Sequence, residues 1–143
     1  MRFWDSSAVV PLCVAEPNSA RTRSLLEEDP AVAVWWGTRT ECLSALVRRL
    51  RDGEIAPAGH RAARRVLNVL AETWTEILPS EPVRATAERM LAVHPLRAGD
   101  AFQVSAALAW CGGRPSGHAV VTLDGRLRDV VSREGFDPLP DGH

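Results

Sequence analysis

The sequence contains no lysine: all 17 of its basic residues are arginine. Without a lysine the chain cannot form a Schiff base on a side-chain amine, cannot carry the phosphate-binding lysine of a Walker A loop, and cannot supply the lysine that partners a phospho-accepting aspartate. Cysteine is also scarce. Cys13, Cys42 and Cys111 are odd in number, with no C-x-x-C pair and no neighbouring His pair, so neither a disulfide framework nor a zinc site fits. They read as small core residues in a reducing compartment. Long apolar runs are missing too. The longest, Ala8 to Ala15, is broken by Pro11 and falls well short of the ~18 residues of a membrane span. Asp5 stands where the apolar segment of a signal peptide would begin. The expectation is a soluble, cytoplasmic chain that makes no use of a membrane. Its net charge of −1 provides no global attraction to nucleic acid.

What is present is an ordinary globular balance, with 45% hydrophobic and 24% charged residues over 143 positions. That length predicts one domain spanning residues 1–143, with 137–143 as a C-terminal tail. Short apolar runs rich in β-formers predict strands at Arg2–Trp4, Ala31–Trp36, Thr75–Leu78 and Ala119–Leu123, and Phe136–Leu139 reads as an edge strand in which Pro138 removes a ladder donor. Helical spacing fills the intervals, as in Leu43, Leu46, Val47 and Leu50. Thr38–Arg51 and Pro57–Thr73, joined by Asp52-Gly53-Glu54, form a helical hairpin; Glu81–Val93 and Arg97–Trp110 follow, separated at His94-Pro95. Apolar strands alternating with helices predict an α/β fold: a three-layer α/β/α sandwich around a parallel sheet of about five strands.

Among the 18 acidic residues, four fall where a carboxylate has consequences. Asp5 directly follows the first strand, and Asp124 follows the fourth. In open parallel sheets, ligands bind beyond the carboxyl ends of strands, where strand order reverses. Asp100 is the only acid of the apolar segment Asp100–Trp110, and Glu41 lies early in the hairpin among the small neighbours Gly37, Thr38, Ser44 and Ala45. Each position also has a plainer explanation. Asp5, Asp100 and Asp124 each stand at a helix start, where an aspartate caps free backbone N–H groups, and Gln103 completes a capping-box spacing with Asp100. Glu41 points nearly opposite the apolar stripe of its helix, as a surface glutamate does.

Taken together, these residues resemble the PIN domain, and within it the VapC toxins of type II toxin–antitoxin systems. The resemblance rests on Asp5-Ser6-Ser7-Ala8-Val9-Val10, Thr40-Glu41-Cys42-Leu43-Ser44-Ala45-Leu46, Asp100-Ala101-Phe102-Gln103-Val104-Ser105-Ala106-Ala107-Leu108 and Val121-Thr122-Leu123-Asp124-Gly125-Arg126-Leu127, followed by Gly135-Phe136. Trp35-Trp36-Gly37-Thr38 looks like a recurring variant in that family. The resemblance implies a PIN-like fold and a metal-dependent endoribonuclease that holds Mg²⁺ or Mn²⁺ on an acidic cluster matching Asp5, Glu41, Asp100 and Asp124. It also implies an RNA substrate such as tRNA or rRNA, inhibition of translation, neutralisation by a VapB-like antitoxin, and a homodimer.

The residue types suit that chemistry. Phosphodiester hydrolysis needs an activated water and stabilised oxyanions, which a divalent ion held by one or two carboxylates provides. Asp5 and Asp100 are expected as direct ligands, with Glu41 and Asp124 acting through water. Like charges in one pocket should raise at least one carboxyl pKa. Ser6 and Thr122 flank two of the acids and are candidate donors to a carboxylate or a phosphate. Arg48, Arg49 and Arg51 on one hairpin helix, and Arg61, Arg64 and Arg65 on the other, are the candidate RNA-backbone contacts. Trp4, Trp35 and Trp36 are expected in the core. The competing reading is a non-catalytic PIN-like module whose acids cap helices and receive a basic partner tail.

Overall fold

The structure, a computed structural model, describes residues 1–142; His143, the end of the expected tail, lies outside them. Its strands are β1 (Arg2–Trp4), β2 (Val32–Trp35), β3 (Thr75–Ile77), β4 (Ala119–Val121) and β5 (Asp137–Leu139). Its helices are α1 (Ser6–Cys13), α2 (Ser19–Glu28), α3 (Thr38–Arg51), α4 (Pro57–Thr73), α5 (Glu81–Val93), α6 (Ala98–Trp110) and α7 (Gly125–Glu134). The expected strands and the hairpin are all present. Helix α2, which no periodicity marked, is an addition. It is polar on most sides and buries only Ser19, Thr22 and Leu25.

All strand pairs are parallel, in the order β3-β2-β1-β4-β5. The two-residue period of a strand sends neighbouring side chains to opposite faces. Phe3, Ala33, Trp35 and Val120 therefore pack into one core with α5, α6 and α7, while Trp4, Val32, Val34 and Val121 pack into a second with α1 to α4. Both faces are covered, which is why the central strands are apolar throughout. The result is the expected α/β/α sandwich. Residues 137–139 belong to it: Asp137, Pro138 and Leu139 pair with Ala119, Val120 and Val121. Pro138 is tolerated because its strand is at the edge, so the expected tail contributes a strand before it ends.

The topology decides where a site can form. From β1 the chain adds β2 and β3 on one side, then crosses back to add β4 and β5 on the other, so strand order reverses between β1 and β4. Asp5 directly follows the first of these strands, its N–H donating to the Val121 carbonyl at 3.0 Å, and Asp124 caps the helix after the second. The chain reversal opens the sheet edge between them. Among the described residues, no helix is long and apolar enough to cross a membrane, and all three cysteines are free thiols.

Candidate active site

Asp5, Glu41, Asp100 and Asp124 line one open cleft of about 910 Å³ at this edge, together with Ser6 and Ser7. It continues into a second lobe of about 540 Å³ bounded by Arg97, Gly99, Asp100, Asp124 and Arg126. Four separate elements therefore deliver the acids: the end of β1, the first turn of α3, the first turn of α6, and the N-cap of α7.

Asp5 is 5% exposed. Its Oδ2 accepts the Ser7 hydroxyl at 2.6 Å, the Thr122 hydroxyl at 2.9 Å and the Ser7 N–H at 3.3 Å. Its Oδ1 has only the Ser6 hydroxyl, at 3.5 Å. Asp124 divides its oxygens in the same way. Oδ1 accepts the N–H groups of Arg126 at 2.9 Å and Leu127 at 3.1 Å, and Oδ2 takes no part in those caps. Capping and ligand binding are thus compatible, since each aspartate spends one oxygen on its helix and keeps the other for the cleft. Ser7 was not singled out by sequence. Its hydroxyl also accepts the Leu123 N–H at 2.9 Å, which ties the β1 end to the β4 end. The signal available was its place two residues after a strand-ending aspartate, the usual geometry of an N-cap.

Three of the plainer readings need correction. Asp100 does not start its helix: Arg97 is the N-cap, and Asp100 sits in the first turn. Gln103 does not complete a capping box either. It is 1% exposed and donates through Nε2 to Glu41 Oε1 at 2.8 Å and to Thr38 Oγ1 at 3.0 Å. Glu41 is accordingly not a surface side chain. It is half-buried, receives the Ser6 hydroxyl at 3.4 Å, and has Gly99 beside it, where a Cβ would stand 3.9 Å from its Oε2. The helical period describes how α3 faces its own core, and it carries no information about Gln103 and Gly99 of α6, which meet the first turn of α3.

Burial is the main electrostatic influence, ahead of repulsion between the acids. It pushes Asp5 above the usual carboxylate range, opposed by the bonds from Ser7 and Thr122, with the Asp124 charge adding to the rise. Glu41 is pushed up to about 7, first by burial and then by Asp5 and Asp100, against the bonds from Gln103 and Ser6. Asp100 is raised by burial and by Asp124, while the Arg97 backbone N–H, Arg126 and Arg97 draw it down. None of the ion pairs among the described residues involves these four acids.

The remaining candidates separate by position. Ser6 lines the cleft, whereas Thr122 is fully buried beneath Asp5 and can reach the carboxylate but not a phosphate. Arg48 and Arg49 line the cleft, and Arg49 is paired with Glu16. Arg61 and Arg65 are exposed on α4 and do not line it; Arg97 and Arg126, which sequence did not single out, do. Trp4 and Trp35 are buried as expected, but Trp36 is 54% exposed at the cleft wall.

The donor set suits a hard divalent cation. The cleft contributes carboxylate and hydroxyl oxygens and no cysteine or histidine, which favours Mg²⁺ or Mn²⁺ over a thiolate metal such as zinc. Among the described residues, no three His, Cys, Asp or Glu side chains form a ready metal cage. Mg²⁺ does not demand one, because it retains several waters and is held by one or two carboxylates.

No family model and no curated protein matches the chain. Solved structures do. Mycobacterium tuberculosis VapC20, a sarcin-ricin-loop-cleaving toxin, is similar at 20% identity and TM-score 0.69, over 95% of this chain and 96% of its own. FitAcB from Neisseria gonorrhoeae is similar at 14% identity and TM-score 0.68, over 98% of this chain and 97% of its own. FitAB bound to the IR36 DNA fragment matches at 16% identity and TM-score 0.66, with both chains covered completely. Identities this low speak to architecture, and the chain has the PIN-like α/β/α fold that it shares with these structures.

Proposed function

We propose that this chain is a Mg²⁺- or Mn²⁺-dependent endoribonuclease, the toxin of a toxin–antitoxin pair, which cuts RNA such as tRNA or rRNA and so inhibits translation. The observation that carries the reading is the convergence of Asp5, Glu41, Asp100 and Asp124 from four distant segments on one cleft, with none of them in an ion pair among the described residues. A stabilising role alone does not require unpaired carboxylates to be gathered beside one another, where burial and repulsion penalise them.

A bound divalent ion supplies water activation and neutralises charge on the phosphate and leaving oxygen. Asp5 and Asp100 would hold that ion directly, and Asp124 would support it through water. Glu41 would orient the attacking water through its half-buried carboxylate. Gln103 holds that carboxylate in place. Arg48, Arg97 and Arg126 orient phosphate at the rim. A cognate VapB-like antitoxin is the partner, a basic side chain entering the acidic cleft is its means of inhibition, and the toxin is a cytoplasmic homodimer.

A second reading, a non-catalytic module that binds a basic partner tail, draws on the caps made by Asp5 and Asp124. One experiment separates the two. The purified chain, freed of partners and given Mn²⁺ or Mg²⁺, should cut cellular RNA at mappable ends, and the fragments should disappear with EDTA or with Asp100→Asn. RNA left intact by metal-bound protein overturns catalysis.

A further inference from the structure

The exposed Trp36 does not stand alone. Besides the acidic cleft, it lines an adjoining pocket of about 450 Å³, together with Trp35, Pro79 and Phe102. Behind it, Trp35 and Phe102 are stacked with ring centroids 5.1 Å apart and planes 5° from parallel. The Trp35 indole lies over Gly37 so closely that a Cβ there would meet its Nε1 at 2.6 Å. The Trp36 backbone is held by an N–H bond to the Ile77 carbonyl at 3.0 Å. The pocket thus has one rigid aromatic wall and a second aromatic ring standing in solvent at the junction with the acids.

We infer that Trp36 and this pocket bind an unpaired nucleobase of the strand whose phosphate lies in the acidic cleft. The inference rests on the nucleic-acid reading of that cleft and names the part of the substrate the cleft leaves unread. Successive bases and phosphates are joined by a short backbone, so a phosphate held among the acids presents its neighbouring base to the adjoining pocket. Stacking needs a free base face, which a duplex hides and a loop or single strand offers. The net charge is −1 and the cleft gathers four acids, which oppose the pull of the rim arginines on phosphate, so a contact that does not depend on charge adds to the affinity. A base stacked on an aromatic side chain contributes about 1–3 kcal/mol.

The test is binding of a fluorescently labelled, mixed-sequence heptaribonucleotide, followed by anisotropy with Mn²⁺ in the Asp100→Asn background, with oligonucleotide intactness checked on a gel. Adding Trp36→Ala should weaken binding by about 5- to 150-fold, the range set by one stacked base, and Trp36→Phe should restore most of it. An abasic nucleotide at one position should cause the same loss in the Trp36 protein and no further loss in Trp36→Ala, as a shared contact requires. Unchanged binding in Trp36→Ala, or additive losses at every position, would overturn the inference and leave the pocket to a protein side chain. The nuclease reading is judged separately, by cleavage in the unmutated protein. Cleavage with no dependence on Trp36 sinks only the base pocket, and base-dependent binding without cleavage sinks only the nuclease.

Discussion

Gln103 on α6 donates a 2.8 Å hydrogen bond to Glu41 on α3, across 62 residues of sequence. The same amide nitrogen also reaches Thr38 Oγ1 at 3.0 Å. One buried side chain therefore fixes the position of a half-buried carboxylate and limits how far burial raises its pKa.

Removing that donor should move the titration of Glu41 upward. Gln103→Leu deletes a bond that favours the charged form, so the carboxyl should ionise above its present value of about 7. Carbon-detected NMR of the side-chain carboxyl reads this directly, and the acid limb of any cleavage profile should shift with it. A Glu41 titration unmoved by Gln103→Leu contradicts the assigned role.

The metal-free fold should lose stability as pH rises toward neutrality. Glu41 releases its proton at about 7 in the folded chain, against an ordinary value of 4.5. In the interval the folded state binds more protons than the unfolded one, so the contribution is complete below the ordinary value and is lost as pH rises through the folded one. Asp5 and Asp100 are raised as well and act in the same sense. The Tm difference between the unmutated protein and Glu41→Gln isolates the effect. Measured with EDTA, that difference should turn against the unmutated protein between about pH 4.5 and pH 7. Mn²⁺ should raise Tm most at the upper end, where the acids are ionised.

Substitutions at Asp124 should separate capping from cleft chemistry. Asparagine caps as well as aspartate, so Asp124→Asn should unfold within about 1 kcal/mol of the unmutated protein, whereas Asp124→Ala should cost ~0.5–2 kcal/mol through the lost bonds to Arg126 and Leu127. Cleavage should fall in both. Equal stability with full activity in Asp124→Asn would reduce the residue to a cap.

Charge removal at the expected direct ligands should be more severe. In Asp5→Asn the amide oxygen can replace Oδ2 and still accept from Ser7 and Thr122, which preserves the fold. Cleavage should drop at least ~100-fold for Asp5→Asn and Asp100→Asn, the upper end of the loss seen when even an outer partner of a metal site is removed. Isothermal titration with Mn²⁺ should show weakened binding in parallel. An unfolded Asp5→Asn would make the residue structural.

Leu46 tests the core beneath the site. It is fully buried on α3, one turn beyond Cys42, in the core shared with α1 and α4. Leu46→Ala should cost about 2–5 kcal/mol in urea unfolding, with loss of activity following loss of fold.

Much of this was legible before any coordinates. Apolar strands and the period of the helices marked all five strands and the hairpin, because burial on both faces leaves a strong local pattern. Helix α2 left none, since it buries a single hydrophobic side chain, Leu25. The angle Glu41 makes on α3 left its surroundings open, and Trp36 was assigned to the core from its place beside a strand; what surrounds them comes from α6 and from the open sheet edge.

The sequence by itself determined the succession of strands and helices, the excluded lysine chemistries, and the placing of Asp5 and Asp124 just beyond strands. These depend on the periodicity and composition of neighbouring residues, which a linear reading captures. Only the tertiary structure decided that one oxygen of each aspartate is spent on a cap while the other stays with the cleft, that Gln103 serves Glu41, and that Arg97 and Arg126, not Arg61 and Arg65, border the acids. Such outcomes depend on how segments far apart in the chain pack against one another, and local spacing does not encode the direction in which a side chain meets a distant neighbour.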